Sequence, residues 1–182
     1  AVRDALQSRF GEAGPGFMHL GYKDYRHDGA KFTIEGKWRM RPKKPSGIKR
    51  DGDGGAGFGG ILMGGYADTP SAVVNLTRGP DHATYLYDFA YRLKKPGDAI
   101  DVSPPGKPRE TLSASEKQPL GTLQHYVVSS DAAATFGARP TNGSPDFGGV
   151  AIETDPASAP GVVLDTLGIN GARYATALSW DA

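Results

Sequence analysis

Between Ala83 and Leu93 the chain alternates, with Tyr85, Tyr87, Phe89 and Tyr91 on one face and Leu86, Asp88, Ala90 and Arg92 on the other. A period of two marks a half-buried strand, and aromatic side chains suit that setting. "SAVVNLTR" (71–78) predicts another strand, halted by Gly79 and Pro80. "KKPGD" (94–98) turns the chain, and "AIDV" (99–102) is expected to return beside the aromatic strand. "GTLQHYVVSS" (121–130) and "GGVAIET" (148–154) supply two more. Short strands separated by Gly and Pro turns across 71–154 predict a β-sandwich. The four rings are expected to form half of its core rather than a platform for sugars.

Ahead of this region the period changes. Val2, Ala5, Leu6 and Phe10 fall on one face of a short helix over 2–10, which Gly11, Gly14 and Pro15 then stop. The segment 17–38 is aromatic and polar, with one short strand expected near 31–35. At the other end, the apolar run 162–164 predicts a buried strand, followed by Gly168, Gly171 and an alanine-rich stretch that predicts a helix. A strand, a glycine turn and a helix together present free N–H groups to an anion.

The 26 glycines and 14 prolines among 182 residues reinforce the strand-and-turn picture, since average usage of the two is about an eighth. No Gly-X-Y period accompanies them, which excludes a collagen-like chain. The length suits one domain, or one domain with additions. Cysteine is absent, which excludes disulfides and thiolate sites. No apolar run reaches the length of a membrane span, and "AVRDALQSRF" lacks the order of a signal peptide.

Charge changes the picture locally. Residues 1–60 carry twelve Lys and Arg against seven acids, and "KWRMRPKKPSGIKR" (37–50) holds seven bases and no acid. Clustered bases can neutralise phosphates, but Pro42, Pro45 and Gly47 favour a solvated loop, and an anionic polysaccharide could use the same charges. "DGDGGAGFGGILMGG" (51–65) lacks the lysine and hydroxyl of a phosphate-binding loop and the closing Glu of a helix-flanked calcium loop. Its glycines are better explained by close strand approach. No metal or cofactor is expected. Loop aromatics such as Tyr25, Trp38 and Tyr66 are the better candidates for stacking on a sugar. Tyr25, His27, Trp38, Arg39 and Arg41 therefore form the expected ligand-binding set, weak and salt-sensitive.

Two stretches resemble one family. "LQSRFGEAGPGFMHLGYKDYRHDGAKF" (6–32) resembles the segment after the nucleophile block of bacterial SGNH (GDSL-type) carbohydrate esterases with an inserted β domain. "VVLDTLGINGAR" (162–173) resembles the strand-turn-helix of their second block, in which a glycine N–H helps hold the oxyanion. The β-rich middle resembles the jelly-roll, carbohydrate-binding-like module inserted in such enzymes. The resemblance implies that Gly171 is the oxyanion glycine, with Ala172 opening the helix. "GIN" also fits the third block, in which case Asn170 would be the donor; segment order favours the second. A plain tight turn at Gly168 and Gly171 is the remaining reading. The Gly-Asp-Ser nucleophile block does not occur, and the Asp-x-x-His base block is read as missing too, with no aspartate expected three residues before His19, His27, His82 or His125. Without a base, an SGNH serine is not activated.

The resulting expectation is a mainly β, jelly-roll-like sandwich flanked by short helical pieces of an α/β SGNH hydrolase domain. Residues 1–38 would be an N-terminal helix and aromatic region from the hydrolase, 39–158 the carbohydrate-binding-like insert, and 159–182 the return to the hydrolase. Its role would be to bind or orient polysaccharide or peptidoglycan in a bacterial O-acetylesterase, periplasmic or secreted. Its partners would be that glycan and the rest of the catalytic domain, with no nucleic acid and no membrane span. The alternatives are a non-catalytic protein-binding or structural sandwich, and a complete hydrolase using Ser and His in an unfamiliar order.

Overall fold

The computed structural model describes residues 2–41, 61–66, 69–80, 83–114, 120–131 and 135–165. In chain order these form α1 (Val2–Phe10), β1 (Gly16–Met18), β2 (Ala30–Glu35), β3 (Trp38–Arg41), β4 (Leu62–Gly65) and β5 (Ser71–Leu76). There follow β6 (Tyr85–Arg92), β7 (Ala99–Ser103), β8 (Glu110–Ser113), β9 (Gln124–Ser130), β10 (Thr135–Asn142) and β11 (Asp146–Thr154). They make two antiparallel sheets. Sheet one runs β3-β4-β11-β6-β9, with β1 also paired to β11, and sheet two runs β2-β5-β10-β7-β8. The fold is a jelly-roll-like β-sandwich, as the sequence predicts.

The alternation in β6 determines its facing. Tyr85, Tyr87, Phe89 and Tyr91 are all buried to 1% exposure or less. Phe89 meets Phe147 of its own sheet edge-on at 5.0 Å and Phe136 of the opposite sheet at 5.6 Å. Tyr87 stacks on Phe136 at 6.1 Å. Ring-to-ring packing therefore joins the two sheets, and burial on this scale dominates the core.

"AIDV" does not return beside β6. It lies in β7 of sheet two, between β10 and β8. The Asp98 carboxylate accepts the N–H groups of Lys94 and Lys95, at 2.8 and 3.2 Å, and draws the turn tight. The chain thus crosses from one sheet to the other, and Ile100 and Val102 enter the same core as the rings. The sandwich also starts earlier than residue 71, because β1 pairs with β11 and β2 with β5. Strand pairing therefore reaches back into 1–38.

Helix α1 forms where expected, but its facing is reversed. Arg3 and Gln7 are buried, whereas Val2 and Phe10 are exposed. Hydrogen bonds outweigh the apolar stripe here: Arg3 donates to the Leu164 carbonyl at 2.8 Å, and Gln7 donates to the Gly14 carbonyl at 3.4 Å. The run 162–164 is not a buried strand either. Val162 makes one parallel bridge with Glu12, and the run is half-buried. The Val162 N–H donates to Gly11 O at 3.0 Å, and the Ala13 N–H donates to Val162 O at 3.3 Å. Both flanks of the sandwich are joined at this point.

Candidate functional site

The candidate site is built around β3. The Glu35–Trp38 turn is closed by the indole, whose Nε1–H donates to Glu35 O at 2.7 Å. The indole also packs on Phe147 at 5.1 Å and lies across Gly21. Gly21 has a positive φ of 85°, and a Cβ there would fall 2.6 Å from the ring, so only glycine fits beneath Trp38. Trp38 lines an open cleft of about 360 Å³ with Tyr22, Lys23, Asp24, Lys37 and Tyr66. The Arg39 guanidinium lies 4.7 Å over the Tyr66 ring at this wall. Half-exposed rings flanked by cations can stack on a sugar face and hold an anion.

Trp38 is therefore brought to one cleft with Tyr66, whose ring Arg39, on the other face of β3, covers. Lys23 and Tyr22 join them from a loop that sequence reasoning read only as aromatic and polar. The remaining expected residues part from the cleft. Tyr25 is not a loop platform: it is 8% exposed, it donates to Phe17 O at 3.2 Å, and it packs edge-on against His19 and Phe32. Burial pushes its hydroxyl up to about 12. Its apolar body completes the core, which is why it turns inward.

His27, like Tyr25, lines a second open cleft rather than the cleft of Trp38. Its Nδ1 accepts the Gly29 N–H at 3.0 Å, and its Nε2 lies 3.1 Å from Pro15 O. Arg3 Nη1 lies against the same nitrogen at 2.6 Å. Burial, then the Arg3 charge, lower its pKa to about 4. Contrary to the expectation that no histidine lies three residues after an aspartate, Asp24-Tyr25-Arg26-His27 matches Asp-x-x-His. The match has no chemistry here, because Asp24 is exposed in the cleft while His27 is held by Gly29 and Pro15.

Arg41 leaves the cleft by the other face of β3. Its Nε lies 3.2 Å from Oδ1 of Asp146, a fully buried carboxylate that Arg92 and Lys94 also approach at 2.9 Å. No sequence signal marked Asp146, since its partners come from β3, β6 and the turn after β6. Gly171, Asn170 and Ala172, the glycine-rich 51–55 and the basic 43–50 lie outside the described residues. Among the described residues, no three His, Asp or Glu side chains gather as metal ligands. Nor, among them, is any helix long and apolar enough to cross a membrane.

No protein-family model matches the chain, and no curated protein matches it. Solved structures do. One described as "Peptidoglycan O-acetylesterase in action, 5 min" matches over 98% of this chain, at 23% identity and a TM-score of 0.61. The chain spans 44% of that protein. The C-terminal CBM6 of LamC from Zobellia galactanivorans matches over 75% of this chain and 98% of its own, at 11% identity and a TM-score of 0.41. A carbohydrate-binding module of Cellvibrio mixtus lichenase 5A, in complex with cellotriose, matches over 79% and 95%, at 13% and 0.36. What the first likeness establishes is a shared fold.

Proposed function

We propose that this chain is the polysaccharide-binding and orienting insert, with flanking hydrolase segments, of a bacterial SGNH carbohydrate or peptidoglycan O-acetylesterase. The observation that carries this reading is the meeting of the flanks. Glu12 and Val162 bridge in parallel, and Arg3 reaches Leu164, so the chain enters and leaves the sandwich at one place. Adjacent ends are what a host domain requires of an insertion. The shared fold with a peptidoglycan O-acetylesterase over 98% of this chain supports the same host.

Within this reading the cleft of Trp38, Tyr22 and Tyr66 presents the glycan, and the acetyl group is cleaved by a serine elsewhere in the host. Gly171 or Asn170 then contributes an oxyanion donor, as the resemblance implies. The host works in the periplasm or outside the cell, where peptidoglycan and other glycans lie. The coding sequence around this chain tests the reading. A Gly-Asp-Ser block ahead of residue 1 and an Asp-x-x-His block after residue 182 are expected. Finding neither would overturn it.

A further inference from the structure

Asp146 begins β11 with its side chain wholly buried, and three cations surround it. Lys94 Nζ lies 2.9 Å from Oδ1, Arg92 Nη2 lies 2.9 Å from Oδ2, and Arg41 Nε lies 3.2 Å from Oδ1. Asp146, and Asp98 bonded beside Lys94, offset part of this charge, so a net positive charge remains in a partly desolvated place, where it attracts an anion more strongly than in water. The three keep outward faces, with side chains 39%, 18% and 27% exposed for Arg41, Arg92 and Lys94. Arg41 Nε is close enough for an ion pair, yet its N–H is not aimed at Oδ1. It is a buried donor without a hydrogen-bond partner. Such a donor is costly until an acceptor arrives.

The sheet register extends this cluster into a row. Arg39 pairs with Gly64, Gly64 with Asp146, and Asp146 with Arg92, which sets all four on one face of sheet one. Three strand spacings put the ends of the row about 14 Å apart. Gly64 keeps the row open, because a Cβ there would fall 2.9 Å from Arg41 Nε and 3.0 Å from Asp146 Oδ1. Arg39, at one end, also covers Tyr66 at the wall of the cleft. Row and cleft are therefore continuous around the edge strand β3.

We propose that this row, Arg39, Arg41, Arg92 and Lys94 about Asp146, takes the carboxylates of an acidic polysaccharide whose sugar rings lie in the adjoining cleft. The proposal rests on the polysaccharide-binding reading above and deepens it by naming an acidic glycan. Planar guanidinium forks match carboxylates two bonds at a time, and Lys94 adds a point charge. A nucleic acid would meet the same charges through its phosphates.

The test is calorimetric titration of the 182-residue chain with an oligogalacturonate, a neutral cello-oligosaccharide of equal length and a single-stranded oligonucleotide. The acidic glycan should bind about tenfold tighter than the neutral one, a difference that high salt removes. Arg41→Gln, Lys94→Gln and Arg39→Gln should each shrink that ratio several-fold. Arg92 still pairs Asp146 in all three, and circular dichroism checks that each variant is folded. Equal binding of acidic and neutral glycans overturns this proposal but leaves the binding module standing. Variants that are folded yet bind the acidic glycan unchanged also overturn it, and so does an oligonucleotide that competes equally well. Failure of every glycan to bind overturns the module reading as well.

Discussion

Arg3 donates from Nη2 to the carbonyl of Leu164 at 2.8 Å, across 161 positions of sequence. The same guanidinium lies against His27, so one side chain joins α1, the loop before β2 and the returning flank. Beside this contact, the Phe17 N–H donates to the Asp165 carboxylate at 2.6 Å. The first and last parts of the described chain are closed on each other by polar bonds rather than by the apolar face of α1.

Replacing Arg3 by Met keeps most of its length and removes the tie. Losing a charged hydrogen bond in a buried place costs about 1–3 kcal/mol. The expected result is a lower urea midpoint together with faster protease cleavage after residue 160. An Arg3→Met chain with an unchanged midpoint and unchanged cleavage would show that the flanks are held by something else.

Acid should weaken the fold through its buried imidazoles. Burial lowers His19 from 6.5 to about 4, and His27 shifts the same way. A lowered folded value means that the neutral ring stabilises the native state. That contribution is whole above pH 6.5 and is lost as pH falls toward 4. For His19 the shift corresponds to on the order of 3 kcal/mol. His19→Phe removes the titration and keeps a ring among Phe17, Tyr22 and Tyr25. The variant should lose less stability than the parent between about pH 7 and about pH 4.5. Parallel losses would assign the acid sensitivity to other groups.

Phe89→Ala removes the ring that links Phe147, Tyr91 and the opposite sheet's Phe136. A cavity at such a position costs about 3–5 kcal/mol. Thermal unfolding followed by near-ultraviolet circular dichroism reads the loss. A change under about 1 kcal/mol would mean that the core closes over the gap far better than fully buried rings normally allow.

The rings of β6 were legible because alternation is a local signal with one physical meaning. β3, β4 and β10 were not. β3 reads "WRMR" and leads into a basic stretch, β4 ends in Gly64 and Gly65, and β10 contains Gly137 and Pro140. The register indeed shifts between Pro140 and Asn142, so the strand survives by bending. The facing of α1 departs from its apolar stripe because hydrophobicity cannot report that Arg3 has a carbonyl waiting in the returning flank. An aromatic beside a basic run proposes Trp38 and Arg39, and the structure sets Trp38 in a cleft wall with Tyr66, over which Arg39 lies. Tyr25 shows the limit of that rule, since an aromatic in a loop can equally well close a core.

The purified chain should not turn over p-nitrophenyl acetate, because no Gly-Asp-Ser nucleophile block occurs and His27 is engaged by Gly29 and Pro15. The expected rate equals that of buffer. Turnover above buffer that a single Ser or His substitution abolishes would make the chain a hydrolase in its own right.

The measurement closest to the central claim is an NMR titration of the isotope-labelled chain with acetylated glycans and peptidoglycan fragments, at low and high salt. Sugar rings and acidic groups in the cleft should shift resonances of Tyr22, Trp38, Arg39 and Tyr66, and salt should weaken the binding by screening the cations. Tyr66→Ala, at an exposed ring, should weaken binding several-fold without lowering thermal stability. Glycans that leave these resonances unmoved, while a protein partner shifts them independently of salt, would contradict the account and make the sandwich a protein-binding module.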